Sequence, residues 1–297
     1  MKKINISDGI VANIIDETKG YAEILISDGI IEIPTDIDDE SYCYDDDRLY
    51  TSCIGDFISK NNIKDVKIIG GGDLKNISNL FTFCNINELD LSSFNTSNVT
   101  NMFSMFYSCR VKHINMSGLF NTSHVSNMES MFEDSNINEL DLSSFNTSNV
   151  RSLQLMFAGC ENLEKLDLSS FNTSNVRNMC SMFENCINLK NIDLSNFTSE
   201  NLIDARSMFE NCINLKNIDL PNFGISKIKT TECMFSECTN LQTIKLSNFK
   251  PCSLEHADYM FENCPNLENI DFPKFEIIDK LHAYGVTYGC NKLNRKG

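Results

Sequence analysis

The sequence predicts an α/β repeat solenoid, one supersecondary unit copied and stacked. Each copy is expected to hold one short parallel strand and a short helix or 3-10 turn. Three observations carry this. Met-Phe followed three residues later by Cys recurs every 25 or 26 residues, at Met105-Phe106…Cys109, Met156-Phe157…Cys160, Met182-Phe183…Cys186, Met208-Phe209…Cys212, Met234-Phe235…Cys238 and Met260-Phe261…Cys264. Met131-Phe132 keeps the period with Ser135 at the cysteine position, and weaker copies stand at Leu80-Phe81…Cys84 and Val286-Thr287…Cys290. Each mark is preceded by apolar/polar alternation, as at Leu166, Asp167 and Leu168, the pattern of a strand with one buried face. A fixed period of roughly 20–50 residues means stacked units that touch only their neighbours. Such an array offers a long surface rather than one enclosed pocket, which argues against an enzyme.

Residues 1–60 form a separate, β-rich N-terminal cap, and residues 61–297 the solenoid of about eight or nine rungs, the last one degenerate. In the cap, segments 4–14 and 21–33 are rich in Ile and Val and each contains Ser-Asp-Gly, a turn signal. They read as two short hairpins covering the open end of the array, which would otherwise expose apolar columns and sheet edge. Asp36 to Asp47 holds seven acids in twelve residues without the spacing of a calcium loop, so a solvated acidic loop is expected. Residues 47–60 are expected to form a short helix leading into a first, degenerate rung at Ile63, Val66 and Ile68. Gly70-Gly71-Gly72 follows that strand. No Lys-Ser/Thr completes a phosphate loop there, so a wide bend is the expectation.

The cleanest unit runs from Leu163. After the strand come Ser169, Ser170, Phe171 and the polar turn Asn172-Thr173-Ser174-Asn175, residue types that bond their own backbone. Val176, Met179, Met182, Phe183 and Cys186 then fall at offsets 0, 3, 6, 7 and 10, which is helical or 3-10 spacing. Stacked, equivalent residues form columns. One is Phe94, Phe145, Phe171, Phe197, Phe223, Phe249 and Phe275, with Leu119-Phe120 filling the irregular second rung. Buried apolar side chains contribute roughly 1.5–3 kcal/mol each, and methionine fills gaps where rungs do not match.

The segment Leu-Asp-Leu-Ser-Ser-Phe-Asn-Thr-Ser-Asn-Val at 89–99, 140–150 and 166–176, followed by x-x-Met-x-x-Met-Phe, resembles the BspA-type leucine-rich repeat. The resemblance covers residues 61–297. It implies a right-handed solenoid with a parallel sheet along one side, and binding rather than catalysis, most often adhesion to host proteins or other cells.

Thirteen cysteines are present, and Cys84, Cys109, Cys160, Cys186, Cys212, Cys238, Cys264 and Cys290 share one repeat position. Copies on adjacent rungs would lie about 5 Å apart, but parallel side chains in a ladder seldom reach the disulfide dihedral. A buried, reduced ladder is expected. Cys43, Cys53, Cys180, Cys233 and Cys252 lie outside it, with Cys43, between Tyr42 and Tyr44, the expected exposed thiol. No C-x-x-C exists, and His113, His124, His256 and His282 have no ligand spacing, so neither metal nor other cofactor is expected. No catalytic motif was found. The N-x-S/T triplets at Asn95, Asn146 and Asn172 read as repeat-locked turns rather than glycosylation sites.

Met1-Lys2-Lys3 is followed by Asn5, Ser7, Asp8 and Asn13, which break an apolar leader, and no apolar run is long enough to span a membrane. A cytoplasmic location is expected, with the cell surface as the alternative. Net charge is −16 and the pI near 4.6, so direct nucleic-acid binding and anionic membranes are disfavoured and basic partners favoured. If the strand leucines point inward, the outward column reads Asp90, Asn115, Asp141, Asp167, Asp193, Asp219, Lys245 and Asp271. Four consecutive acids repel one another. Either they are repeat consensus, bonded to adjacent Ser or backbone, or they form a track for Lys and Arg of a partner. The neighbouring column, Asp65, Glu88, His113, Glu139, Lys165, Asn191, Asn217, Thr243 and Asn269, varies more and suits specificity. The expected binding face is therefore Asp141, Asp167, Asp193, Asp219, Lys165, Asn191, Asn217, Glu139 and His113. Three functions remain open: an interaction solenoid acting as inhibitor or decoy, a surface adhesin, and an acidic mimic of DNA.

Overall fold

The computed structural model describes residues 2–27, 29–30, 52–222, 227–246, 253–271 and 282–293. They form a β-solenoid of about eight turns with very little helix. Three strands, β1 (Lys2–Ser7), β2 (Ile10–Asp16) and β3 (Tyr21–Ile26), make an antiparallel meander. The hairpin expected over 4–14 is β1–β2, turning at Ser7-Asp8-Gly9, while the one expected from Tyr21 is corrected, because β3 pairs with β2 on one side and with a later, parallel strand on the other. Asp16 accepts from the amides of Thr18 and Lys19, closing a turn between β2 and β3 that the Ser-Asp-Gly signal did not mark. β3 then pairs parallel with β4 (Asp65–Gly70), so cap and array share one sheet. It continues through β5 (Asn85–Phe94) and β6 (Arg110–Asn115). The helix α1 (Cys53–Lys60) is N-capped by Ser52, whose hydroxyl accepts from the Gly55 amide. The Gly70-Gly71 bend is obligatory. Both residues have positive φ, 95° and 88°, and a Cβ on Gly70 would meet the Ile26 carbonyl oxygen at 2.0 Å.

The expected helix of each unit is absent from the described residues, and α1 is the only α-helix among them. The Met-Phe segment is instead a train of turns. In the Leu153–Cys160 copy, the amides of Met156, Ala158 and Cys160 bond back three residues, to Leu153, Leu155 and Phe157. The alternate amides of Leu153, Leu155, Phe157 and Gly159 bond forward to the carbonyls of Asn178, Cys180, Met182 and Glu184 on the next rung. Leu155 and Gly159 are left-handed, at φ 57° and 68°, and Ser181 and Asn185 repeat this at 56° and 59°. A left-handed residue every fourth position prevents a continuous helix. Eight bridges, from Asn76–Asn101 to His256–His282, run unbroken along this turn ladder.

The strand side is interrupted. Strands resume only at β7 (Asn217–Asp219), β8 (Thr243–Lys245) and β9 (Asn269–Asp271), paired in parallel as a second sheet. Between β6 and β7 few backbone bonds join successive rungs on this side, among them Asn136 N–H to the Cys109 carbonyl at 3.0 Å, ahead of Leu140-Asp141-Leu142. A strand in every unit was expected, so the turn ladder and not the sheet is the continuous spine.

The core is two columns. Phe81, Phe106, Phe132, Phe157, Phe183, Phe209, Phe235 and Phe261 stack with centroids 5.1–5.7 Å apart and planes within 12°. Offset stacking adds roughly 0.5–1.5 kcal/mol per pair beyond burial. In the second column Phe145, Phe171 and Phe197 stack at 6.3 and 6.5 Å, and Phe120 closes it at 6.1 Å. Phe223, Phe249 and Phe275 lie outside the described residues, as do the 36–47 acids, Cys43 and Cys252.

The repeat consensus has a hydrogen-bond reason at nearly every position. Asn172 accepts the Ser174 amide; Thr147 receives the Asn172 amide at 2.8 Å and donates to its carbonyl at 3.0 Å; Asn175 donates to Ser148 one rung back. The described cysteines are all free thiols. Cys186, Cys212, Cys238 and Cys264 are buried, and each donates Sγ–H to the Phe carbonyl of the preceding rung at 3.0–3.1 Å. Ser135 makes the same bond to Phe106, which is why it can stand in the column. Burial pushes the Cys186 and Cys238 thiols up to about 12 and keeps them protonated donors.

Candidate functional site

The strand registers align both predicted columns across the paired rungs at each end of the array. Asp65, Glu88 and His113 pair across β4–β6, and Asn217, Thr243 and Asn269 across β7–β9; Lys67, Asp90 and Asn115, then Asp219 and Lys245, run beside them. Asp141, Asp167, Asp193, Asp219, Lys165, Asn191, Asn217, Glu139 and His113 are all exposed.

Each central acid closes a turn. Asp141, Asp167 and Asp193 accept the amides of Ser143, Ser169 and Ser195 at 3.0, 2.9 and 2.9 Å. The Ser143 hydroxyl and amide hold Asp141 below the usual carboxylate range, and the amides and hydroxyls of Ser169 and Ser195 do the same for Asp167 and Asp193. For Asp167 the opposing influence of Asp141 is the weakest contribution. These acids are thus fixed, ionised and structurally employed. Their charge, however, is not met by a cation. At one end of the column Lys67 lies 3.4 Å from Asp90, whose other face receives Asn115 Nδ2 at 3.1 Å. At the other, Lys245 lies 3.7 Å from Asp219. Among the described residues Asp141, Asp167 and Asp193 make no ion pair, and they fall where the sheet is interrupted.

Asn191, Asn217 and Asp219 come together around a shallow depression of about 360 Å³, completed by Ile192, Ile218, Thr243 and Lys245. His113, Glu139 and Lys165 lie on earlier rungs and outside it. His113 Nε2 is 4.0 Å from Glu88, and Lys190 binds Glu164 at 2.7 Å.

Sequence reasoning missed a second acidic row, on the turn ladder. Glu133, Glu184, Glu210 and Glu262 each follow Met-Phe directly, a repetition visible in the sequence. Burial pushes Glu133 up to about 7, with the charges of Asp134 and Glu184 adding to it and the Ser130 hydroxyl opposing. Burial likewise raises Asp134 and Glu210. So Asp141, Asp167 and Asp193 on the strand face are stabilised in the charged form, whereas Glu133, Asp134 and Glu210 on the turn face resist it.

No group of three His, Cys, Asp or Glu among the described residues could hold a metal ion, and no helix among them is long and apolar enough to cross a membrane. The model of one protein family, Mycoplasma protein of unknown function DUF285, matches repeatedly, over residues 56–135, 75–191, 111–218 and 179–296. No curated protein and no solved structure matches the chain.

Proposed function

We infer that this chain, which belongs to the DUF285 family, is a non-enzymatic interaction solenoid that holds a basic partner protein on its strand face. One observation carries the reading: a column satisfied by lysine at both ends leaves Asp141, Asp167 and Asp193 without a cation at its centre. Fixed acids on a rigid surface steer a basic partner and set register more than they add affinity. The depression around Asn191 and Asn217 supplies polar, uncharged recognition beside them. Inhibitor and decoy roles are both forms of this function, and a cytoplasmic setting is the one we propose for it.

The test uses the partner captured by pull-down and identified by mass spectrometry. Asp141, Asp167, Asp193 and Asp219 are replaced together by Asn. Folding is expected to survive, because Asn115 already occupies this column and accepts the Ser117 amide at 3.1 Å. Association should slow and its salt dependence shrink, since charge steering is screened within about 8–10 Å at ordinary ionic strength. Unchanged rate and salt slope would reduce the acids to repeat consensus.

The resemblance to BspA-type leucine-rich repeats supports adhesion as a second reading, with the same face and the right-handed arrangement of that repeat. Recovery of native protein from the cell-surface fraction would favour it. Capture of a nucleic-acid-binding protein, displaced by DNA, would favour the mimic instead.

A further inference from the structure

The same strand residues pair near one end of the array and not at its centre. Leu-Asp-Leu-Ser-Ser-Phe at 89–94 lies in β5 and pairs with β4 and β6, whereas the same sequence at 140–145 and 166–171 forms no strand. The difference therefore lies in what each copy faces. Asp90 faces Lys67 and Asn115, Asp219 faces Lys245, and these rungs are paired. In between, the column runs Asp141, Asp167, Asp193, Asp219, so acid faces acid at three successive interfaces, and none of the three is paired. The remaining break, between Asn115 and Asp141, adjoins the bend Met116–Phe120, which is one residue longer than Leu91–Phe94. The Asp-Ser turn is not the cause, since Asp90 accepts the Ser92 amide inside β5. Individual bonds show the contrast. Leu220 N–H donates to the Lys245 carbonyl at 3.0 Å, and Gln242 N–H to Lys216 at 2.8 Å. The equivalent amides of Leu142, Leu168 and Leu194, all buried residues, meet no acceptor among the described residues, and Lys190 reaches Glu164 only at 3.4 Å. The rungs also splay. Beside the acids Phe145, Phe171 and Phe197 are 6.3 and 6.5 Å apart, while on the turn side the same rungs hold Phe157, Phe183 and Phe209 at 5.7 and 5.3 Å.

We propose that the facing carboxylates hold the centre of the strand face open, and that a cationic group seated between them closes it into sheet. The repulsion of two neighbouring acids in water and the net gain from one backbone hydrogen bond are of the same order, so charge decides whether a rung closes. Where the chain supplies the cation itself, at Lys67 and Lys245, the strands are shut. The turn ladder, bridged without a break along the array, serves as the hinge. Closure satisfies the amides of Leu142, Leu168 and Leu194 with the carbonyls of Asp167, Asp193 and Asp219, the bond that Leu220 already makes to Lys245. It also brings the strand side toward the spacing of the turn side. The inference builds on the strand-face reading, giving the basic partner an effect on the shape of the array, but it is testable without any partner.

Asp167→Lys on the full chain, read by amide hydrogen exchange residue by residue, is the test. Lysine already stands in this column at Lys67 and Lys245, so the position accepts it. The substitution turns the contacts toward Asp141 and Asp193 into acid–cation contacts and leaves Asp193 facing Asp219. Protection of the Leu142 and Leu168 amides should rise about tenfold or more, the effect of one hydrogen bond. Leu194, and Phe157 in the turn ladder, should keep the parent's protection. Asp167→Asn removes the charge without adding a cation and should give a smaller rise at the same two amides. Parent-level exchange at Leu142 and Leu168 overturns the proposal. So does an equal rise at Leu194, which would mark general stiffening rather than charge. If the lysine loosens the turn ladder, seen as faster exchange at Phe157, the Asn variant decides by the same amides. Failure here leaves the strand-face reading standing, because no partner is present, and a failed pull-down leaves this result untouched.

Discussion

Glu133 offers a sharp test of how the turn ladder treats charge. Its carboxyl lies half-buried behind Phe132, beside Asp134 and facing the charge of Glu184, and its pKa rises from 4.5 to about 7. Above pH 7 the folded chain holds this group charged at a cost; the unfolded chain does not. Stability contributed by the neutral form is therefore fully present below about pH 4.5 and is lost as pH rises through 7. Linkage sets an upper bound of about 3 kcal/mol, and partial exposure brings it to about 2. Glu133→Gln keeps the shape and the Ser130 contact but removes the charge. At pH 8 the variant should open less readily by about 2 kcal/mol, a roughly thirtyfold slowing of exchange. The amides to follow are Phe132 and Asp134, which bond to Met156 and Ala158 at 2.9 and 2.7 Å. At pH 4.5 variant and parent should coincide. An equal gap at both pH values, or a variant weaker at pH 8, would refute the reasoning.

Other consequences are as direct. Thr147→Val preserves shape but strips the Asn172 amide and carbonyl of their buried partner, and should cost about 1–3 kcal/mol in urea unfolding. Cys212→Ala removes a donor to the Phe183 carbonyl and leaves a small void, costing about 1–2 kcal/mol, whereas Cys212→Ser should cost less because Ser135 already fills that role. Gly71→Ala forces a side chain to φ 88° and to 2.6 Å from the Phe94 ring, so thermal unfolding should shift down by several degrees. Titration with a thiol reagent should reach few groups in the folded protein and thirteen after denaturation.

The period alone set the columns, because residues 25 or 26 apart must superpose when rungs stack. The Met-Phe-Cys register, the Phe columns and the Asx character of Asp141, Asp167 and Asp193 were all readable from it. The helix was not, since offsets of 0, 3, 6, 7 and 10 suit a buried turn train as well as a helix. The discriminating signal was polar: Ser181 and Asn185 occupy the left-handed positions, and Ser and Asn tolerate or bond locally in such turns. The break in the sheet had no signal in residue type, as Leu140, Leu166 and Ile192 look like their paired equivalents. The uncompensated centre of the acidic column was hidden for a related reason. With Asp65 in one column with Glu88, Lys67 falls beside Asp90, but that the two close to an ion pair at 3.4 Å while the central acids have none shows only in the folded side chains.

The one-way bonding of the turn ladder makes the solenoid electrically polar along its length. From Leu153 to Gly159 four amides point toward the C-terminal end, against Arg177 N–H to Arg151 and a longer Lys190 N–H to Glu164 that point back. Aligned peptide dipoles sum, as they do along an α-helix, whereas the alternating bonds of a parallel sheet largely cancel. The turns thus give the array a dipole along its length, positive toward the later rungs and negative toward the cap. In a chain of net charge −16, this backbone polarity sets a positive field against the side-chain charge of the later rungs.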